Sequence, residues 1–189
     1  TNPVGQVNHR GPWVMTVAAS TQDLNYGAGL SATGPGTPPT DTQNLLAIPG
    51  SHMNGVAVPF TNLEIRQFAA NAFGCTAGTP YPANYFDNAV ALISRGNCPF
   101  TEKVANAAAA GADHVFIYNN TFGTINMNTD GATIPAYNIR QDAGQAMSAF
   151  ITSNGATPTI SSLVSPVIGA GPGDVLANFS FRGPTPAPV

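Results

Sequence analysis

From Ala89 to Ile93 the chain runs through consecutive apolar residues, and His114-Val-Phe-Ile-Tyr-Asn119 is a second apolar run with β-branched and aromatic side chains. Short runs of this kind, without polar alternation, suit strands covered on both faces. Between them Gly96 and Pro99 break the first run, and an alanine-rich segment follows as far as Ala110. Proline has no N–H to lose at the first helical position, so the pattern predicts a helix from near Pro99 through Ala110, ended by Gly111. Strand, helix and strand together form a β-α-β unit, whose strands should be parallel and joined by a right-handed crossover.

The remaining elements are shorter. Trp13 to Ala19 reads as a first strand. Asp23 to Gly50 is rich in Gly, Pro, Thr and Ser and reads as loop or hairpin, with a short strand within Asn25 to Leu30. Val56 to Phe60 reads as a short strand, placed at an edge or a strand end by Pro59. Leu63 to Phe68 alternates, with Leu63 and Ile65 inward and Glu64 and Arg66 outward. A polar loop spans Asn119 to Thr133, and Ala136 to Ile139 is a further strand. Ala143, Ala146, Met147, Phe150 and Ile151 recur on one helical face, which Asn154-Gly155 closes. Thr157 to Val164 reads as a late strand and Gly169 to Gly173 as a flexible exit.

Four segments carry a family resemblance. Ala91-Leu-Ile-Ser-Arg-Gly-Asn-Cys-Pro-Phe-Thr-Glu-Lys103, Ala107 to Ala112, Phe116-Ile-Tyr-Asn119 and Ile134-Pro-Ala-Tyr-Asn-Ile139 resemble the protease-associated domain, a non-catalytic module of several peptidase families and some sorting receptors. Pro99 stands where that family often has Ser, which with Glu102 would form a capping box. The ends resemble something else. Gly11 to Thr21 is similar to a core strand of subtilisin-like serine peptidases, and Asp174 to Pro184 to the segment where those enzymes resume after such an insertion, with Phe181 at a usual Ser position. The expected organisation is a flanking strip at 1–21, a protease-associated domain at 22–173 and a second strip at 174–189. The expected fold class is α+β: a compact β-barrel or sandwich with flanking helices and one β-α-β unit.

Composition limits the partners. The 189 residues are 43% hydrophobic and only 8% charged, with a net charge of −3 and no basic cluster, which argues against nucleic acid or an anionic membrane surface. No run is long enough to span a membrane, and Thr1 begins without a signal-peptide pattern, so a targeting segment would lie upstream. Cys75 and Cys98 are the two cysteines. An even count in a low-charge chain favours one disulfide over two buried thiols. Cys98 occupies the family's disulfide position, which implies a Cys75–Cys98 bridge worth roughly 3 kcal/mol in the loop-entropy model and a secreted, extracellular setting.

The resemblance implies a parent that is a secreted subtilisin-like serine endopeptidase. Its catalytic Asp, His and Ser would lie outside this chain, so no catalytic residue is assigned and this piece is expected to be inactive. Its role would be to bind protein or peptide, modulating substrate recognition or access to the active site; the alternative is a structural or self-association insert. Expected partners are the parent's protein or peptide substrate and its catalytic domain, with self-association as a further option. The candidate peptide-binding residues are Arg95, Asn97, Tyr118, Asn119, Asn120 and Phe122. The guanidinium of Arg95 suits carboxylates or peptide carbonyls. Its competing use is an ion pair with Glu102 or Asp87, and that reading is the stronger one from sequence.

Other chemistry is thin. His9, His52 and His114 lack metal-ligand spacing, and His114 reads as a structural or surface residue. Asn126, Asn128 and Asp130 alternate as in a calcium loop but lack its glycine and terminal glutamate, so no cofactor is expected and calcium is a minor alternative. Asn119-Asn120-Thr121 and Asn178-Phe179-Ser180 match the glycosylation sequon.

Overall fold

Residues Ala89–Ser94 form one strand of a closed, seven-stranded barrel in the computed structural model, which describes residues 24–154 and 157–170, with side chains from 27 to 154 and 157 to 162. In chain order the strands are β1 (Leu24–Thr33), β2 (Leu45–Pro49), β3 (Leu63–Arg66), β4 (Ala89–Ser94), β5 (His114–Tyr118), β6 (Ala136–Ile139) and β7 (Thr159–Ala170). Around the barrel they follow the order β1-β2-β6-β5-β4-β3-β7. The pairs β3–β4, β4–β5 and β5–β6 are parallel, and β1–β2, β2–β6 and β3–β7 antiparallel. Tyr26–Ile168 forms one compact unit. The expected strand at Trp13 to Ala19, the two flanking strips, Gly155 and the Asn178 sequon lie outside the described residues.

Alternation along β4 explains its unbroken apolar run. Val90 and Leu92 face the barrel interior with Leu30, Ile65, Phe116, Tyr137 and Ile160, all at most 1% exposed. Ala91 and Ile93 face outward and are covered by helix α1 (Phe100–Ala109) through Val104 and Ala107. Both faces of β4 are therefore dry. Helix α2 (Gln141–Asn154) places Ala143 and Met147 against the interior cluster. Gly144 makes that approach possible, because a Cβ there would lie 2.0 Å from Cβ of Tyr118.

Two details differ from the sequence expectation. Pro99 is the N-cap of α1 and not its first residue, since its ψ of 153° is extended, and no side chain caps the helix start. Val56 to Phe60 is not a strand. Two of its backbone donors go to side chains instead: Val58 N donates to the Tyr137 hydroxyl at 2.8 Å and Phe60 N to Ser162 Oγ at 2.9 Å. Of the loop or hairpin expected from Asp23 to Gly50 the structure forms the hairpin: Leu45–Pro49 is strand β2, antiparallel to β1 and joined to it by a connection containing a single 3-10 turn at Thr40–Thr42. The end of α1 is as expected: Gly111 has φ +91°, its N–H bonds Ala108 O, and Ala112 N bonds Ala107 O, a Schellman closure.

Candidate functional site

Three parallel strands end side by side. Arg95 N donates to Tyr118 O at 3.0 Å and Asn119 N to Ile139 O at 2.9 Å, so the residues following β4, β5 and β6 form one rim. The side chain of Asn119 is fully buried and clamps that rim. Its Oδ1 accepts from Arg95 Nη1 at 2.7 Å and from Asn120 N at 3.0 Å, while its Nδ2 donates to Gly123 O at 2.9 Å. Every polar atom of the amide is thus used inside the protein, which leaves the sequon asparagine closed to a modifying enzyme.

The structure separates the six candidates into two groups. Asn97, Asn120 and Phe122 are exposed and Arg95 is half-buried, with Phe122 at 95% the most open large apolar side chain described. Asn97 is held outward by a left-handed φ of 66°. Tyr118 and Asn119 are the second group. Tyr118 packs under α2 at Gly144, and Asn119 is the buried clamp. Phe73 joins the rim without having been expected. It is 39% exposed and flanks the Arg95-Gly96 turn, where a Cβ on Gly96 would lie 3.3 Å from its ring. Its neighbour Cys75 was the available sequence signal, because the bridge to Cys98 draws residues 73 and 96 together.

The expected ion pair of Arg95 is not formed. Glu102 accepts instead from Thr76 N at 2.7 Å, which holds its carboxyl below the ordinary value, and Asp87 lies beside Gly111. Among the described residues the salt bridges are Arg66–Glu64 at 2.5 Å and Arg140–Asp142 at 3.1 Å. Among the described residues the Arg95 side chain bonds the neutral Asn119 amide, and a guanidinium so placed keeps N–H groups for a carboxylate or a peptide carbonyl.

Behind the rim, Cys75 and Cys98 form a disulfide. Lys103 of α1 is fully buried against it and donates to the carbonyls of Phe73 and Gly96, the latter at 2.7 Å. Burial pulls its pKa down from 10.5 to about 8.

A second cluster superficially has hydrolase chemistry. His52 Nδ1 lies 2.7 Å from Thr129 Oγ1 and its Nε2 3.1 Å from Ile134 O. A carbonyl can only accept, so Nε2 carries the proton and Nδ1 accepts from the Thr129 hydroxyl. Thr129 is fully buried, and Ser51 bonds Asp130 Oδ1 at 2.5 Å and not the imidazole. No nucleophile and base are open to substrate together there. Two of the residues expected for calcium have a side-chain oxygen engaged: Asn128 Oδ1 accepts from Asp130 N at 3.1 Å and Asp130 Oδ1 from Ser51 Oγ. Among the described residues there is no group of three or more His, Cys, Asp or Glu that could hold a metal.

A family model now gives the barrel its class. Residues 56–147, from the loop before β3 to the middle of α2, match the PA domain model, and the chain carries a PA domain. The minor extracellular protease Vpr of Bacillus subtilis (strain 168) is 32% identical over 95 residues, covering 50% of this chain and 11% of that protein. The subtilisin-like protease SBT1.7 of Arabidopsis thaliana is 28% identical over 174 residues, covering 92% and 22%. The aminopeptidase YwaD of Bacillus subtilis (strain 168) is 37% identical over 78 residues, covering 38% and 17%. The chain thus spans less than a quarter of the length of these relatives.

Proposed function

We propose that this chain is a non-catalytic protein- or peptide-binding module of a secreted subtilisin-like serine endopeptidase, with residues 22–173 as the insert and 1–21 and 174–189 as strips of the host domain. The observation that carries the binding role is the rim itself: a half-buried Arg95 guanidinium whose partner among the described residues is the Asn119 amide, beside exposed Asn97, Asn120, Phe73 and Phe122. Exposed aromatics next to a fork of unsatisfied donors suit an extended peptide, whose carbonyls or carboxylates the arginine takes while apolar side chains cover the rings. The subtilisin-like parent is supported by SBT1.7, whose match reaches over 92% of this chain, against 38% for the aminopeptidase YwaD. Its placement outside the cell is supported by the disulfide.

In the full-length parent, Arg95→Ala and Phe122→Ala are expected to raise KM for a folded protein substrate several-fold. kcat and KM for a short chromogenic peptide stay unchanged. Equal KM for both variants and the unaltered enzyme on the folded substrate would remove the rim from recognition.

A further inference from the structure

The chain's only lysine is placed against its only disulfide. Lys103 Nζ lies 3.8 Å from Cys75 Sγ, within the weak hydrogen-bond range of sulfur. The two cysteines differ in exposure: Cys75 is buried at 6%, whereas Cys98 is partly exposed. Glu102, next to Lys103 in sequence, forms no salt bridge with it: its carboxylate accepts from Thr76 N, and its pull on the ammonium is smaller than the effect of burial. A cation is therefore fixed beside the inner sulfur while the outer sulfur faces the approach of a thiol. That asymmetry matters in disulfide exchange, where the rate rises as the departing thiolate is better stabilised.

We propose that the Cys75–Cys98 bridge is a thiol-exchange site whose co-substrate is an external dithiol that attacks Cys98 and expels Cys75 beside Lys103. A thiolate of the dithiol attacks Cys98 Sγ, forming a new S–S bond as the Cys75–Cys98 bond breaks. The electron pair goes to Cys75 Sγ, which leaves as a thiolate paired with the Lys103 ammonium. The second thiol of the reagent, deprotonated, then attacks the reagent sulfur of the mixed disulfide. Cys98 is released and takes up a proton, the reagent closes to its cyclic disulfide, and the protein has gained two electrons. Cys98 stands three residues from Arg95, so opening the bridge releases the turn that carries Arg95 and Asn97. The proposal is independent of the identity of any peptide bound at the rim.

The test measures reduction of the folded 189-residue chain by dithiothreitol, and maps the adduct formed with glutathione by mass spectrometry after acid quench and alkylation. In the unaltered chain, glutathione is expected on Cys98 with Cys75 free, and the rate constant per reagent thiolate is expected to fall as pH rises through about 8, where Lys103 loses its charge. Lys103→Met is expected to slow reduction several-fold and abolish that pH dependence. Loss of the lysine's bonds to Phe73 and Gly96 would by itself loosen the loops and speed reduction, so the predicted sign separates activation from structural support. An adduct on Cys75, a flat pH profile in the unaltered chain, or an equal or faster rate in a folded Lys103→Met variant would overturn the proposal. The first two readouts need no variant.

Discussion

Replacing Cys75 and Cys98 together by alanine is expected to lower the unfolding free energy by about 3 kcal/mol. The bridge joins residues 23 apart in sequence, and closing a loop of that size removes most of its contribution from the entropy of the unfolded chain. The native state adds to this. The bridge holds Phe73 and Gly96 at the spacing that lets one ammonium serve both carbonyls, and Asn106 Nδ2 reaches Gly74 O at 2.9 Å across the same junction. Without the bridge, Lys103 remains buried beside carbonyls free to move away, and a buried charge without its partners is costly. Urea denaturation under oxidising conditions measures the difference. A loss below about 1 kcal/mol would mean that the unfolded chain already holds these segments together. Domains of this size are stable by only about 5–15 kcal/mol, so the bridge is a substantial share yet not the whole.

Acid is expected to weaken the barrel through His114. This imidazole begins β5 and is 8% exposed, with ring centroids 4.4 Å from Phe60 and 6.4 Å from Tyr137. Neither ring nitrogen has a hydrogen-bond partner. Burial lowers its pKa below the ordinary value, against a smaller opposing pull from Asp113, the charged group next to it in sequence. The unfolded chain therefore takes up the proton first as pH falls through about 6.5. Over that window the unfolded state binds more protons, and stability falls with decreasing pH until the folded pKa is passed. Above about pH 6.5 the contribution is fully present. His114→Phe keeps an aromatic ring between Phe60 and Tyr137 and removes the titration. The difference in unfolding free energy between the unaltered chain and His114→Phe should grow, in favour of the phenylalanine, as pH drops from neutral to about 5. A constant difference across that range would contradict the assignment.

The parts of the fold legible in sequence are those whose determinants are local. The β4-α1-β5 unit shows itself through uninterrupted apolar runs, a proline and a glycine, and its parallel pairing from Val90–His114 to Ser94–Tyr118 follows. Strand β2 was legible only as one arm of a loop or hairpin, because Leu45–Pro49 sits between turn-forming residues; its second pairing, with β6 at Ile48–Asn138 some 90 positions away, leaves no local pattern. Val56 to Phe60 had strand composition, yet two of its donors are met by Tyr137 and Ser162, which no local pattern reveals. The same holds at the rim. Arg95 was legible as a donor. Its partner was not, because the bond to Asn119 spans 24 residues and displaces ion pairs that looked closer in sequence. Asn119 reads as a peptide-binding candidate, and only the fold shows it as the buried clamp from which Asn120 and Phe122 project.

The central claim is that this PA domain acts in substrate recognition by its parent. It is tested most directly by comparing the full-length peptidase with a version lacking residues 22–173, each assayed on a short chromogenic peptide and on a folded protein. The account predicts that kcat/KM for the folded protein falls by about tenfold or more, equivalent to at least 1.4 kcal/mol of lost binding, while the short peptide is cleaved as before. Equal activity on both substrates, with a lower melting temperature, would contradict it and leave the domain a structural insert.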